Sequence, residues 1–386
     1  MSDLLNQIGS PNFRLGTEAS TNRPCWLSDN HLAVHMAILG GSGSGKSKLI
    51  ELLLRQFMVE RRGFCFIDPD RDTAEDLLAF AAALKAEGDD EIWRKVHYVE
   101  PSYEMVFGFD PFKFRPMKPI SGVEEKNAYR AWLHTKVDSI AELFQRKQGD
   151  AGFEGMPRLK RVLTNVLTAV GTAIDMNGKH LPLADALVLL DIYHRRHEEV
   201  FRRVAPGLDR DIVADFEILH GFRRVQDLRT ETESTINRLR TFLSPLVKGI
   251  FCDTVNTIDF FNIVQRSDFL IVNLRETDYF SADQGNTIGS LFIHEIISTA
   301  QNTPRGLRRD FALVVDEAPE FIGADIQRAL RRMRKYRLRL VLCAQNLTSF
   351  QKGDLDLGPT VLSKCGSIVC FQQKLKEDLE ILAPVL

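Results

Sequence analysis

The chain has 386 residues, 44% of them apolar and 26% charged, which argues against a disordered polymer and allows one large α/β unit carrying a second compact element. A net charge of −2 excludes a general attraction to nucleic acid, so any polyanion would have to be held by a local basic surface. No run approaches the roughly eighteen apolar residues that cross a bilayer, and Met1 to Gln7 lacks the basic start and apolar run of a signal peptide, so the cytoplasm is the expected location.

In chain order, Val34 to Leu39 reads as a short apolar strand, followed by a glycine-rich turn and a helix from Ser47 to about Val59. Phe64 to Asp68 reads as a second strand, Thr73 to Lys85 as a helix with Thr73 at its N-cap, and Val96 to Val99 as a third strand. Such alternation implies a parallel sheet covered by helices. Pro111, Pro116 and Pro119 then punctuate a connection, after which no convincing strand follows for a long stretch. Val123 to Gln148, Arg158 to Asp175 and Val225 to Leu246 show helical periodicity, with Gly149, Gly152, Gly155 and Pro157 marking the joint between the first two. Alternation resumes with a strand at Asp268 to Asn273, a helix from about Ala282 to Gln301, and strands at Phe311 to Val315, Leu338 to Cys343 and Ser367 to Phe371. The expected fold is therefore α/β, a P-loop core with a mainly parallel sheet interrupted by an inserted all-α domain. Its divisions are 1–119 for the first part of the core, 120–246 for the helical insertion and 247–386 for the second part.

The six cysteines include no CxxC pair and several lie in apolar strand-like runs, so they read as reduced core residues. His31 and His35 enter a strand, which spoils helix-face metal spacing, and His194 with His197 in YHRRHEE reads as part of a solvated helix.

Five motifs carry chemistry. GGSGSGKS matches G-x-x-x-x-G-K-[ST], and its setting between a strand and a helix fits a phosphate-binding loop. Gly40, Gly41, Ser42, Gly43, Ser44, Gly45, Lys46, Ser47 and Lys48 are the candidate ATP-binding residues. Backbone N–H groups and the helix N-terminus would cradle phosphates, Lys46 would reach the β- and γ-phosphates, and Ser47 would hold Mg2+. FALVVDEAPE ends an apolar strand on Asp316, a Mg2+ candidate, and Glu317, placed to orient or deprotonate the attacking water. RLVLCAQN ends a neighbouring strand on Gln345, which can sense the γ-phosphate and the lytic water. Arg328, Arg331, Arg332, Arg334, Lys335, Arg337 and Arg339 crowd one short segment. At 100° per residue Arg328, Arg331, Arg332 and Lys335 share a face, Ile326, Leu330 and Met333 lie opposite, and Arg334 is at the flank. The face would line a channel for DNA phosphates and Arg334 would act as an arginine finger in an adjacent subunit, with a plain charged surface as the alternative. Asp68-Pro69-Asp70-Arg71-Asp72 follows the second strand; loop and helix-start structure stands against a nucleotide-site or inter-subunit role.

HMAILGGSGSGKS, FIDPDRDTAEDLL, DFLIVNLRETD, VVDEAPEF, MRKYRLRLVLCAQN and SIVCFQQKLKEDLEIL, in this order, resemble the HerA/FtsK superfamily of ring ATPases, on its branch of conjugative coupling proteins and type IV secretion ATPases. The resemblance covers both α/β thirds and implies a RecA-like core. It also implies a hexamer, a central DNA channel, and roles for Lys46, Ser47, Asp316, Glu317 and Gln345, with Arg334 acting in trans. Coupling proteins usually begin with membrane-spanning helices, which this chain lacks, favouring a soluble HerA-like translocase or a coupling protein reliant on partners. DPDRD stands where many relatives have DPxGD, with Arg71 replacing the glycine, and relatives usually continue beyond the equivalent of Leu386, so a C-terminal tail is expected to be missing or lost. The expected activity is DNA-stimulated ATP hydrolysis with ATP and Mg2+. The rival readings are an ATP-gated assembly module for a partner nuclease and a secretion ATPase acting on protein, with a relaxase or secretion component as further possible partners.

Overall fold

The computed structural model describes residues 12–28, 31, 34–102, 107–113, 122–146, 157–172, 181–252, 257–352, 355–373 and 375–384. The chain divides into two compact units, one of Met1–Glu100 with Asp259–Leu386 and the other of Pro101–Ile258. The sequence-based divisions stood at 119/120 and 246/247, of which the first lies outside the described residues.

The first unit opens with an antiparallel hairpin of β1 (Asn12–Thr17) and β2 (Pro24–Ser28), which sequence periodicity did not reveal. Phe13 anchors it, fully buried and edge-on to Phe57 at 5.0 Å. β3 (His35–Leu39), α1 (Lys46–Val59), β4 (Phe64–Asp68), α2 (Asp72–Ala86), α3 (Asp90–Lys95) and β5 (Val96–Val99) follow. Thr73 is not the cap expected for α2. The helix starts one residue earlier, Thr73 is buried within it, and the Asp68 carboxylate accepts the Ala74 N–H at 2.7 Å in its place.

In the second unit the regular elements among the described residues are helices, apart from an isolated bridge between Gly108 and Thr257. They are α4 (Gly122–Arg146), α5 (Pro157–Thr172), α6 (Asp185–Leu190), α7 (His197–Val204), α8 (Arg210–His220), α9 (Val225–Phe242) and α10 (Pro245–Cys252). Leu159, Val162, Leu163, Val166, Leu167 and Val170 bury one stripe of α5. Edge-to-face contacts run from Phe144 through Phe242 and Phe251 to Phe109, with centroids 4.9 to 5.3 Å apart. The helix expected to continue to Leu246 ends at Phe242, because Pro245 has no N–H with which to extend its ladder and instead opens α10. Pro116, Pro119, Gly149, Gly152, Gly155 and the expected helix ends at Gln148 and Asp175 lie outside the described residues.

The expected solvated helix around His194 and His197 is corrected: His194 lies in a turn, and His197 is buried at the start of α7. One ring nitrogen of His197 meets the Val188 carbonyl at 3.0 Å and the other meets His220 Nε2 at 2.7 Å.

Back in the first unit come α11 (Phe260–Arg266), β6 (Phe269–Asn273), α12 (Ala282–Asn302), β7 (Phe311–Val315), α13 (Ala324–Arg332) and β8 (Leu338–Ala344). The short pair β9 (Gln351–Lys352) and β10 (Leu355–Asp356), then α14 (Gly358–Lys364), β11 (Cys365–Cys370) and α15 (Lys376–Leu382), complete it. Seven strands form one sheet in the order β11-β3-β8-β7-β4-β6-β5, with every pairing parallel. HMAIL, FCFID, FLIVN and FALVV are buried at every position, as strands covered on both faces must be. Met36, Ile38, Phe64, Phe66, Phe269 and Ile271 share one core with Leu49, Ile50, Leu53 and Leu77 of α1 and α2. Among the described residues no helix is long and apolar enough to cross a membrane.

Candidate nucleotide site

The strand order places three motif-bearing strand ends side by side, because β8 lies between β3 and β7. In a parallel sheet their C-terminal ends share one edge, which is where ligands bind in open α/β folds. The loop after β3 is held from two sides, since Gly40 N–H donates to the Ala344 carbonyl at 3.1 Å and Phe371 N–H to the Leu39 carbonyl at 2.7 Å. Glycine is needed at position 40, where a Cβ would stand 2.6 Å from both Phe371 Cβ and Ser44 Oγ. Gly43 and Gly45 take φ of 73° and 106°, which other residues resist. Ser42, just before them, is exposed in the same turn.

α1 begins at Lys46, whose side chain is buried and whose ammonium donates to the Gly41 carbonyl at 3.4 Å. Ser47 is exposed in the first turn beside it. Lys48 behaves differently, with its ammonium 2.7 Å from both Glu51 and Asp76, so only its backbone N–H is left to serve the loop.

Asp316 is buried at the end of β7, where its N–H donates to the Ile67 carbonyl at 3.0 Å and its Oδ1 accepts the Glu317 N–H at 2.9 Å. Glu317 sits in the left-handed region at φ 42° and ψ 49°, a conformation that costs an ordinary residue about 1–2 kcal/mol and ends the strand there. Gln345, exposed at the end of β8, donates to Glu317 Oε1 at 3.4 Å. Burial, and then the Asp316 charge, raise the Glu317 carboxyl above its ordinary range, while Lys46 and the Gln345 hydrogen bond oppose the rise.

The DPDRD segment joins this edge. Asp68 is 1% exposed and accepts N–H groups of Asp70, Arg71 and Ala74 at 2.9, 3.1 and 2.7 Å, so it builds the turn and starts α2. Burial raises its carboxyl to about 6, with Asp316 adding to the rise. Asp70 is raised too, by burial and then by Asp316 and Asp72, against the pull of Lys46. Asp70 therefore lies in the electrostatic field of Lys46 and Asp316, which favours the nucleotide-site alternative that the sequence leaves open for this segment. The signal was present in the sequence as two strands that both end on carboxylates, Asp68 and Asp316, which β4–β7 pairing brings together. Arg71 adopts φ 82° and ψ −43°, explaining why a glycine suits that position in relatives, and its Nε pairs with Glu75.

The basic segment only partly follows helical arithmetic. Arg328, Arg331 and Arg332 are exposed on α13 opposite buried Ile326, Ala329 and Leu330, but the helix gives way to a 3-10 turn at Met333–Tyr336. Lys335 leaves the expected face and lies over the Tyr336 ring at 4.9 Å. Arg334 is exposed in that turn, at the N-terminal end of β8, whereas Gln345 follows its C-terminal end. At about 3.3 Å per residue the two ends of β8 stand roughly 20 Å apart, so Arg334 cannot reach Glu317 of its own chain.

Phosphate loop, paired carboxylates and strand-end glutamine on adjacent parallel strands define the class as a RecA-like P-loop ATPase fold. Residues 13–156 match the family model described as "Helicase HerA, central domain". No curated protein sequence matches the chain. Among solved structures, the unbound bacterial conjugative coupling protein TrwBdeltaN70 aligns with TM-score 0.58 at 13% identity, over 94% of this chain and 74% of that one. TrwB in complex with ADP and Mg2+ aligns with TM-score 0.58 at 13% identity, over 95% and 75%. VirB4 of Thermoanaerobacter pseudethanolicus aligns with TM-score 0.54 at 16% identity, over 98% and 88%. Family match and shared fold agree with the HerA/FtsK resemblance drawn from the motifs.

Proposed function

We propose that the chain is a Mg2+-dependent ATPase that assembles into a ring, a hexamer by family analogy, and moves DNA through its centre in the cytoplasm. The carrying observation is the contact between Gln345 and Glu317 at the sheet edge that also bears Lys46 and Asp316. Loop N–H groups and Lys46 would hold the β- and γ-phosphates, and Glu317 would take a proton from the attacking water. Its raised carboxyl pKa suits a base, and Gln345 would hold that base and the water in register. The Ser47 hydroxyl and the Asp316 carboxylate are hard oxygen donors of the kind Mg2+ prefers. Bound there, the ion would neutralise charge on the transferring phosphoryl group.

Arg334 lies too far along β8 to act in its own site, so its reading as a finger requires a neighbouring subunit. Removing it should lower turnover by about a thousandfold while leaving ATP binding intact. Normal hydrolysis by assembled Arg334→Ala would end the finger assignment. The functional reading is tested by steady-state hydrolysis without DNA, with single strands and with duplex, using Lys46→Ala and Glu317→Gln as controls. DNA stimulation abolished by both substitutions supports it, followed by movement in a triplex-displacement assay. Turnover without movement favours a nuclease-gating module, and turnover indifferent to DNA favours a protein-secretion ATPase.

A further inference from the structure

The opposite edge of the sheet, where the strands begin, carries a second feature. A cleft of about 510 Å3 opens there between the turns that lead into β4, β6, β7 and β8. That volume is typical of a ligand site. Phe57, Gly63, Phe311 and Ala312 supply its apolar lining, and its charged lining is Arg61, Arg62, Arg309, Arg337 and Arg339 with the single carboxylate of Asp310. Gly63 is required, because a Cβ would lie 2.6 Å from Ser267 Cα and 2.8 Å from the Phe311 ring.

The two walls differ in how their charge is balanced. Arg61 is 2.7 Å from Asp89 and Arg62 is 2.9 Å from Glu60, so the first wall presents guanidiniums held in place by carboxylates outside the cleft. On the second wall Arg337 and Arg339 share Asp310, at 2.5 and 3.1 Å. Arg309 is exposed and has no ion-pair partner among the described residues. Arg309 therefore adds a positive charge to that wall beside the Arg337–Asp310–Arg339 cluster.

Backbone geometry makes the arrangement less ordinary. Arg61, Ser267 and Arg337 all have positive φ, of 57°, 53° and 64°, at helix ends that feed the strands. Glycine is the usual residue at such ends, and an arginine there costs about 1 kcal/mol or more. Helix-dipole capping accounts for part of the choice at Arg61, whose guanidinium also reaches the Val59 carbonyl at 2.8 Å. It does not account for Arg309 and Arg339, which gather with Arg337 at strand beginnings around one aspartate.

We infer that this cleft binds the phosphodiester backbone of nucleic acid, the Arg309, Arg337 and Arg339 wall taking the phosphates and the Arg61–Gly63 wall closing the far side. The inference rests on the DNA reading above and assigns it a contact surface apart from the exposed face of α13. Planar guanidiniums suit phosphate oxygens, and a wall of three of them is long enough to meet consecutive phosphates.

The test uses the full-length assembled protein carrying Arg309→Ala with Arg337→Gly, the glycine fitting the positive φ. DNA affinity is read by fluorescence anisotropy across a salt series, beside the unsubstituted protein and Arg331→Ala with Arg332→Ala. Losing two phosphate contacts should flatten the slope of log affinity against log salt by about 1.8 on duplex or about 1.4 on single strands, with DNA-free ATP turnover unchanged. An unchanged slope, with Arg331→Ala/Arg332→Ala still weakening DNA binding, overturns the cleft assignment and leaves the DNA reading standing. Absence of DNA binding by the unsubstituted protein overturns both. Loss of assembly in the cleft variant, seen by sedimentation, makes the cleft a subunit contact and also overturns the proposal.

Discussion

His35 should make the ATPase unit sensitive to mild acid. It is 2% exposed at the start of β3, where its Nδ1 accepts the Leu340 N–H at 3.1 Å, so the ring is neutral with its proton on Nε2. Protonating Nδ1 would set two donors against each other. Burial, foremost, lowers its pKa to about 4, with the Arg334 charge acting the same way and backbone hydrogen bonds to Leu330 and Ala329 opposing. An unfolded histidine titrates near about 6.5, so between those values the folded protein holds fewer protons than the unfolded chain, and stability rises with pH. The contribution is full above the unfolded value and lost as pH falls toward the folded one. Integrated from pH 7 to pH 5, the loss is about 2 kcal/mol. It is read as the difference in urea-unfolding free energy between the unsubstituted protein and His35→Gln, which keeps an amide acceptor but does not titrate. That difference should shift by about 2 kcal/mol against the unsubstituted protein on going from pH 7 to pH 5. A difference constant with pH would refute the buried neutral assignment.

Glu317→Gln should bind ATP normally and hydrolyse it about 100- to 10,000-fold more slowly, because the amide keeps the Gln345 contact but cannot accept a proton; equilibrium binding and single-turnover rates check this. Arg71→Gly should raise the urea midpoint, by about 1 kcal/mol of stability, since relief of the positive φ outweighs the added freedom of the unfolded chain and an exposed pair to Glu75. A midpoint that falls would show that the pair matters more than the strain. Native labelling with a thiol reagent, mapped by mass, should modify exposed Cys25 and spare Cys65, Cys343 and Cys365 until denaturation. Burial raises all three of those thiols, Cys365 to about 12. Gly40→Ala should cripple nucleotide binding through its clash with Phe371 and Ser44, measured by titration with a fluorescent ATP analogue.

Features set by local chemistry were legible in the sequence, and those set by non-local contact were not. The strand, glycine turn and helix around Lys46 follow from residue spacing alone, and so does the delivery of Asp316 and Glu317 to a strand end. DPDRD reads as carboxylates near that same edge, but that Asp70 comes under the Asp316 charge depends on β4 lying beside β7, which local spacing does not give. His197 looked solvated among Arg195, Arg196, Glu198 and Glu199, yet His220, on a separate helix, covers it. Extending one helix face to Lys335 failed where α13 tightens after Arg332, and the RGLRRD segment drew no notice because its partners, Arg337 and Arg339, follow it at a distance.

The positive-φ residues tie the two sheet edges to different work. Arg71 and Glu317 lie at the edge that bears the phosphate loop, where positive φ accompanies the Asp68 turn and the end of β7. Arg61, Ser267 and Arg337 lie at the basic edge, where they line the arginine-rich cleft. Between them run strands buried at nearly every position, which close packing keeps from deforming gradually. β8 spans the interval in one element, entering from Arg337 and leaving at Gln345, while β3 runs beside it from His35 to the phosphate loop. A polyanion that displaced Arg337 would thus have a single rigid strand between it and the residue that touches Glu317. Cleft binding and hydrolysis would then be coupled most strongly through the β8 register, and substitutions at the strand's two ends should be non-additive in DNA-stimulated turnover if that route carries the coupling.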